Sequence, residues 1–218
     1  MHFEILVEDQ SGKKALDILV PKIIDCSNNL NTFKVHSYKG IGHIPKNLSN
    51  TANASTRSLL NQLPKLLRGY GNTFANYPAT VILVCDLDNK CLKAFRQELF
   101  AVLNDCNPKP ETRFCIAIEE GEAWLLGDIP AIKAAYPKAK DDSLNGYKND
   151  SICGTWECLA DAVFRGGSKV LSKKSGQVVG AEKSQWAEKI TPHMDVSNNM
   201  SPSFQYFVKK LSELATSL

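Results

Sequence analysis

Two aspartates, Asp86 and Asp88, close the apolar run in Thr80-Val81-Ile82-Leu83-Val84-Cys85-Asp86-Leu87-Asp88-Asn89. Alternate residues of an extended chain project the same way, so the two carboxylates are expected to aim at one point. Hard divalent cations such as Mg²⁺ take oxygen ligands of this kind. The competing reading of the pair is a turn former followed by a helix cap. Other acids stand in comparable places. Glu8 and Asp9 follow Phe3-Glu4-Ile5-Leu6-Val7, and Glu119, Glu120 and Glu122 follow Phe114-Cys115-Ile116-Ala117-Ile118. Carboxylates gathered at one edge repel each other, so an unpaired cluster needs a cation or raised pKa values. Lys39, in the glycine-bearing loop Lys39-Gly40-Ile41-Gly42-His43, is a candidate phosphate contact. The plainer reading of Lys39, His43 and Lys46 is a solvated loop.

The elements that must position these acids alternate between strand and helix. Val81 to Cys85 runs apolar without alternation, the pattern of a strand covered on both faces. Strands are expected at 3–7, 33–38, 81–85 and 114–118. Helical stripes fall at Leu16, Leu19, Val20, Ile23 and Ile24, at Leu59, Leu60, Leu63, Leu66 and Leu67, and at Leu92, Phe95, Leu99, Val102 and Leu103. Pro21 predicts a kink or a split in the first helix, Pro64 a bend in the second, and Gly69-Tyr70-Gly71 its stop. Strands and helices in this alternation imply crossover units and a parallel sheet. Its carboxyl edge would then carry the acids, since three of the four strands run straight into them.

The character changes near residue 129. Asp128-Ile129-Pro130 opens a short helix that ends before Tyr136-Pro137, and 138–150 is polar without a clear period. Trp156, Leu159, Ala160, Val163 and Phe164 mark a helix stopped by Gly166-Gly167. The stretch 168–180 holds Lys169, Lys173 and Lys174 among serines and glycines and reads as a mobile basic loop, with plain solvation as its simplest role. A short helix is expected from Glu182, with Trp186 in it. Ser201-Pro202 caps a last amphipathic helix through Phe204, Phe207, Val208, Leu211 and Leu214. The organisation expected is an α/β core at 1–128 and a helical extension at 129–218, packed on the core over its acidic edge.

Composition bounds the function. Apolar residues make up 43% of 218, enough for a sizeable core, and the net charge of +3 permits a nucleic-acid partner without demanding one. No apolar run approaches the ~20 residues of a membrane helix. Met1-His2-Phe3-Glu4 enters a strand at once, which reads as a chain without a signal peptide. Seven cysteines, with no Cys-x-x-Cys, point to buried thiols in a reducing cytoplasm, and the spacing of cysteines and histidines gives no support for zinc.

Glu8 after the first strand, Val84-Cys85-Asp86-Leu87-Asp88, Glu122-Ala123-Trp124-Leu125-Leu126-Gly127-Asp128 and Ser201-Pro202-Ser203-Phe204 together resemble a Toprim-like domain. The closer resemblance is to small bacterial stand-alone Toprim-like proteins encoded beside ABC/SMC-like ATPases in phage-defence loci. It spans most of the chain, and Glu-Ala-Trp-Leu-Leu after a strand is its most specific part. The resemblance implies a Toprim-like (Rossmann-like), mainly parallel four-stranded sheet flanked by helices. Two departures stand out. The position of a third aspartate is Lys90, which puts a second metal held in the usual way in doubt unless Glu119 or Glu122 substitutes, and the glycine that often follows the first glutamate is Asp9.

What the resemblance implies is a Mg²⁺- or Mn²⁺-dependent phosphodiesterase, an endonuclease acting on DNA or RNA, tRNA included, with an ATPase partner. Asp86, Asp88 and one of Glu119 or Glu122 would hold the metal. Glu8 would ligate it or move the proton of the attacking water. Lys39 and Lys90 would neutralise phosphate. Trp124, among Leu125 and Leu126, is expected to be a core anchor rather than a base-stacking platform. The alternative is a non-catalytic regulatory or binding subunit of an ATPase complex. A weaker one is nucleotidyl transfer of the primase kind.

Overall fold

A computed structural model describes residues 1–24, 30–45, 57–151 and 154–216. Lys46 and the polar stretch 47–56, expected to be irregular, lie outside the described residues. Four strands, β1 (His2–Val7), β2 (Thr32–Ser37), β3 (Ala79–Asp86) and β4 (Thr112–Ala117), form one sheet in the order β2-β1-β3-β4. All three pairings are parallel. With helices on both faces, this is an α/β fold of the Rossmann-like kind. In β3 every residue before Asp86 is buried, which accounts for its unbroken apolar run.

Helix α1 (Gln10–Ile23) covers one face of the sheet; α2 (Leu59–Thr73) and α3 (Leu92–Asn104) cover the other. Asp9 caps α1, accepting from the Gly12 N–H at 2.8 Å. Contrary to expectation, Pro21 does not split α1. It stands in the final turn, two residues before the helix ends at Ile23, so only the end of the ladder feels its missing N–H. Nor does Gly69-Tyr70-Gly71 stop α2, which runs through it and through Pro64 to Thr73. Gly71 serves a close approach instead: a Cβ there would lie 2.0 Å from the Pro108 carbonyl oxygen. Gly71→Ala is therefore expected to destabilise by roughly 1–3 kcal/mol through overpacking against backbone. A urea midpoint equal to that of the parent would refute this.

Among the described residues, seven α-helices follow β4: α4 (Glu122–Leu126), α5 (Ile129–Ala135), α6 (Asp141–Asn145), α7 (Thr155–Val163), α8 (Gly167–Leu171), α9 (Gly176–Ile190) and α10 (Pro202–Ala215). The stretch expected to be a mobile basic loop is α8 and the start of α9. Leu171 is fully buried and anchors α8, whose first backbone N–H groups include Ser168, bonded to Asp161 at 2.6 Å. Ser175 caps α9, which begins at Gly176 rather than Glu182. Ser201 caps α10, with Pro202 in its first turn. The buried face of α10 meets Trp124, which stacks on Phe207 at 5.1 Å between centroids and meets Phe204 edge-on at 5.3 Å. The Trp124 indole N–H reaches the Ser203 hydroxyl at 3.0 Å. Trp124 is thus a core anchor. Apolar residues from both sides of residue 128 enter this one cluster together with β1 and α1. Cys85, Cys106 and Cys115 are buried free thiols. Among the described residues, no helix is long and apolar enough to cross a membrane.

Candidate metal centre

The sheet order turns at β1. Its crossover leads to β2 on one side, while β3 and β4 lie on the other. Open parallel sheets bind ligands outside the carboxyl ends of their strands at such a point. Here Glu8 leaves β1 and Asp86 ends β3. Val7 is level with Val84, which sets Glu8 diagonally across from Asp86, and Glu8 Oε2 accepts from the Asp86 N–H at 3.4 Å. A cavity of about 60 Å³ opens beside them, lined also by Ser11, Glu122, Trp124 and Lys183. It has room for a few waters.

The second contribution comes from the far end of the chain. Lys183 of α9 reaches Glu122 at 3.1 Å and Glu120 at 3.2 Å, in a setting where the lysine and Glu122 are both well covered. Burial and like charge shape the group together. Burial, with help from Asp9 and Asp88, pushes the Glu8 carboxyl up to about 7, against the opposing Asp86 N–H and Lys183. Burial, Glu8 and Glu122 push Asp86 well above the usual aspartate range, again against Lys183. Burial raises Glu120 to about 7 even with Lys183 beside it. For Lys183 burial alone would lower the pKa, but Glu122, Glu120 and Asp86 outweigh it and push it up. One ammonium among four acids leaves the group short of positive charge.

The expected site is therefore partly redistributed. Glu8 and Asp86 meet, and Glu122 lines the same cavity. Asp88 stays within electrostatic reach of Glu8, but its backbone turns left-handed (φ 51°), so the alternation that would aim it alongside Asp86 stops at the strand end. Its carboxylate pairs with Lys90 at 2.8 Å. Lys90, expected to contact phosphate, is thereby engaged and also lies 5.2 Å over the Phe95 ring. Glu119 leaves the site. Also left-handed (φ 62°), it accepts from the Gly154 and Thr155 N–H groups at 3.0 and 2.8 Å and from the Thr155 hydroxyl, at the start of α7. It is a helix cap, and Glu119→Ala should cost about 1–2 kcal/mol of stability while leaving any Mg²⁺-induced shift in Tm intact. Thermal melts with and without Mg²⁺ check both parts. The side chain of Lys39 is exposed, but its loop sits at the crevice: the neighbouring Gly40 N–H donates to the Glu8 carbonyl at 2.9 Å.

Sequence reasoning missed Lys183 and passed over Glu120. A signal for Lys183 was present. It stands three, four and seven residues before Trp186, Ala187 and Ile190, all buried, so it falls on the apolar stripe of α9. A lysine on a core-facing stripe calls for a buried partner. No comparable signal separates Glu120 from Glu119, since the two differ only in how the chain turns after β4.

The donor set fits a hard cation in its chemistry, being all oxygen and anionic. Among the described residues no three acids, histidines or cysteines converge as a ready cage. Mg²⁺ does not require one: it commonly takes one or two carboxylates and completes its shell with water and substrate phosphates. Glu8 and Asp86 are the pair placed for that.

Fold and site together define an α/β protein with a carboxylate crevice at the switch point of a parallel sheet. The chain belongs to the family DUF4276, a domain of unknown function, whose family model matches residues 7–212. No curated protein and no solved structure matches it.

Proposed function

We propose that the protein is a Mg²⁺-dependent phosphodiesterase of Toprim-like type, an endonuclease acting on DNA or RNA. The observation that carries this reading is the approach of Glu8 and Asp86 across β1 and β3 at the switch point, with carboxyls that burial and neighbouring acids push up. Crowded acids of this kind are stabilised by a cation. A bound Mg²⁺ would polarise a phosphodiester and stabilise the leaving oxygen. The chain's own residues supply the rest. Glu8 and Asp86 would hold the ion, and Glu8 is also placed to exchange a proton with a water in the cavity. Lys183 adds a fixed positive charge beside the phosphate position. The resemblance to stand-alone Toprim-like proteins extends the proposal to a role in phage defence with an ABC/SMC-like ATPase partner.

A second reading has its own support. Lys183 already neutralises part of the acid group, and Asp88 and Glu119 are engaged elsewhere. On that reading the protein is a binding subunit of an ATPase complex without catalysis. The experiment is a cleavage assay on plasmid, single-stranded DNA and total tRNA with Mg²⁺, Mn²⁺ or EDTA, repeated with the neighbouring ATPase. Metal-dependent cutting that disappears in Glu8→Gln and Asp86→Asn supports the nuclease. Intact substrates in both settings, with no shift in Tm on adding Mg²⁺, favour the binding subunit.

A further inference from the structure

The net charge of +3 is unevenly spread. Residues 162–181 contain Arg165, Lys169, Lys173 and Lys174 and no acid, a local +4, so the remainder of the chain sums to −1. All four cations are exposed. Among the described residues none of them forms an ion pair. The nearest acid in sequence, Asp161, is occupied in capping the Ser168 N–H. The corner is ordered: Gly166 and Gly167 turn the chain with φ of 93° and 67°, Leu171 plugs α8 into the core, and Ser175 starts α9. Four unpaired cations are thus displayed on a fixed scaffold.

Its placement follows from the run of α9 beside α1. The first turn of α1 lies at the crevice, next to Glu8 and Asp9. Farther down, Lys14 pairs with Glu188 at 2.9 Å, and near the end of α1 Lys22 donates to the carbonyls of Thr191 and Met194 at 2.8 and 3.0 Å. The two helices therefore run in the same direction, with Lys183 level with the acid group. The residues of α9 before Lys183 continue past the carboxyl edge of the sheet. From Gly176 to Lys183 is seven residues, about 10 Å along the helix axis. The basic corner thus stands on the crevice side, beyond the acid group along α9.

We infer that the α8–α9 corner is the surface on which a single-stranded nucleic-acid backbone is held as it enters the crevice. This rests on the phosphodiesterase reading for its direction of travel, but the binding itself does not. Charge complementarity selects the occupant: a polyphosphate backbone offers regularly spaced anions, and lysines and arginines on a rigid edge displace its counterions.

The test is fluorescence anisotropy in EDTA with a labelled oligothymidylate of about 20 nucleotides, across a salt series. It compares the full chain with the triple variant Lys169→Gln, Lys173→Gln, Lys174→Gln and with Lys65→Gln, an exposed lysine of α2 on the other side of the sheet. The side chains replaced in the triple variant are exposed, and a matching circular-dichroism melt verifies its fold. The parent should bind with a log–log salt slope of about −3, near −0.7 for each of four cations. The triple variant should bind at least tenfold more weakly, with a slope shallower by about 2. Lys65→Gln should bind like the parent. An unchanged affinity and slope in the triple variant overturns the inference, as does a parent that binds phosphatidylserine vesicles but not the oligonucleotide. Cleavage of substrate by a triple variant with parental affinity would sink this surface and leave the nuclease standing. Binding through these lysines without cleavage under any condition would do the reverse.

Discussion

Asp86→Asn is expected to lower metal-dependent cleavage by at least about 100-fold and, without metal, to raise the melting temperature at pH 8. The first effect follows from the place of Asp86 at the end of β3, where it faces Glu8 across the switch point. Loss of a group that merely orients a metal ligand costs 10–100-fold, so loss of a ligand should cost at least the upper end. The second effect follows from linkage. The folded-state pKa of Asp86 is raised, so the native protein holds this proton more tightly than the unfolded chain. Stability is then lost as pH rises from the unfolded aspartate value toward the folded one, so a penalty is present at pH 8. Asn carries no charge and escapes it. The difference in Tm between parent and variant should close as pH falls toward 4, where both side chains are neutral. Glu8→Gln should behave alike, with its window between about 4.5 and 7. Melts at several pH values, with and without Mg²⁺, check this: Mg²⁺ should raise the Tm of the parent and not that of Asp86→Asn. A variant less stable than the parent at pH 8 would remove the premise that these acids are crowded.

Lys183→Met should have the largest effect on stability. It removes the ammonium that Glu120 and Glu122 share and leaves their charges buried without compensation. Breaking one side of a buried pair costs roughly 3–5 kcal/mol. Lys183 itself has a raised pKa, so its contribution is complete below the unfolded lysine value and is lost only far above neutrality. Between pH 5 and 8 the parent should therefore gain nothing from this lysine by acidification. The variant should regain stability toward pH 5, because Glu120, already near 7 in the parent, takes up a proton once its counter-ion is gone. Adding Glu120→Gln and Glu122→Gln to Lys183→Met should restore most of the loss at pH 8. Urea titrations of the three proteins decide it. A single variant as stable as the parent at pH 8 would mean that the carboxylates relax into solvent and that the pair is superficial.

Much of the fold was legible in the residues because its causes are local or periodic. The unalternating run before Asp86 required a strand covered on both sides, and β3 is that strand. The stripe at Leu92, Phe95, Leu99, Val102 and Leu103 required a helix, and α3 is there. Ser201-Pro202 marked the start of α10 by capping chemistry alone. Where the reading failed, a distant contact overrode a local propensity. Gly69-Tyr70-Gly71 reads locally as a helix stop, yet Gly71 is the point where α2 touches Pro108. The basic stretch after Gly167 reads locally as a loop, yet Leu171 is fully buried in the core.

The candidate site divides along the same line. That acids stand at the ends of β1 and β3, and that Trp124 belongs to a core, follows from residue type and position in the chain. Which acids share a space does not. Strand alternation placed Asp88 with Asp86, but one left-handed residue sends it to Lys90, and another turns Glu119 into the cap of α7. Lys183 enters the acid group across about sixty residues of chain, because α9 lies along α1 and carries the lysine to the sheet edge. The strands, their order along the chain and the acids they end on follow from residue types and local patterning, since these depend on neighbours a few residues away. Which of those acids meet, and which cation they meet, depends instead on two left-handed turns and on the packing of a helix from the opposite end of the chain.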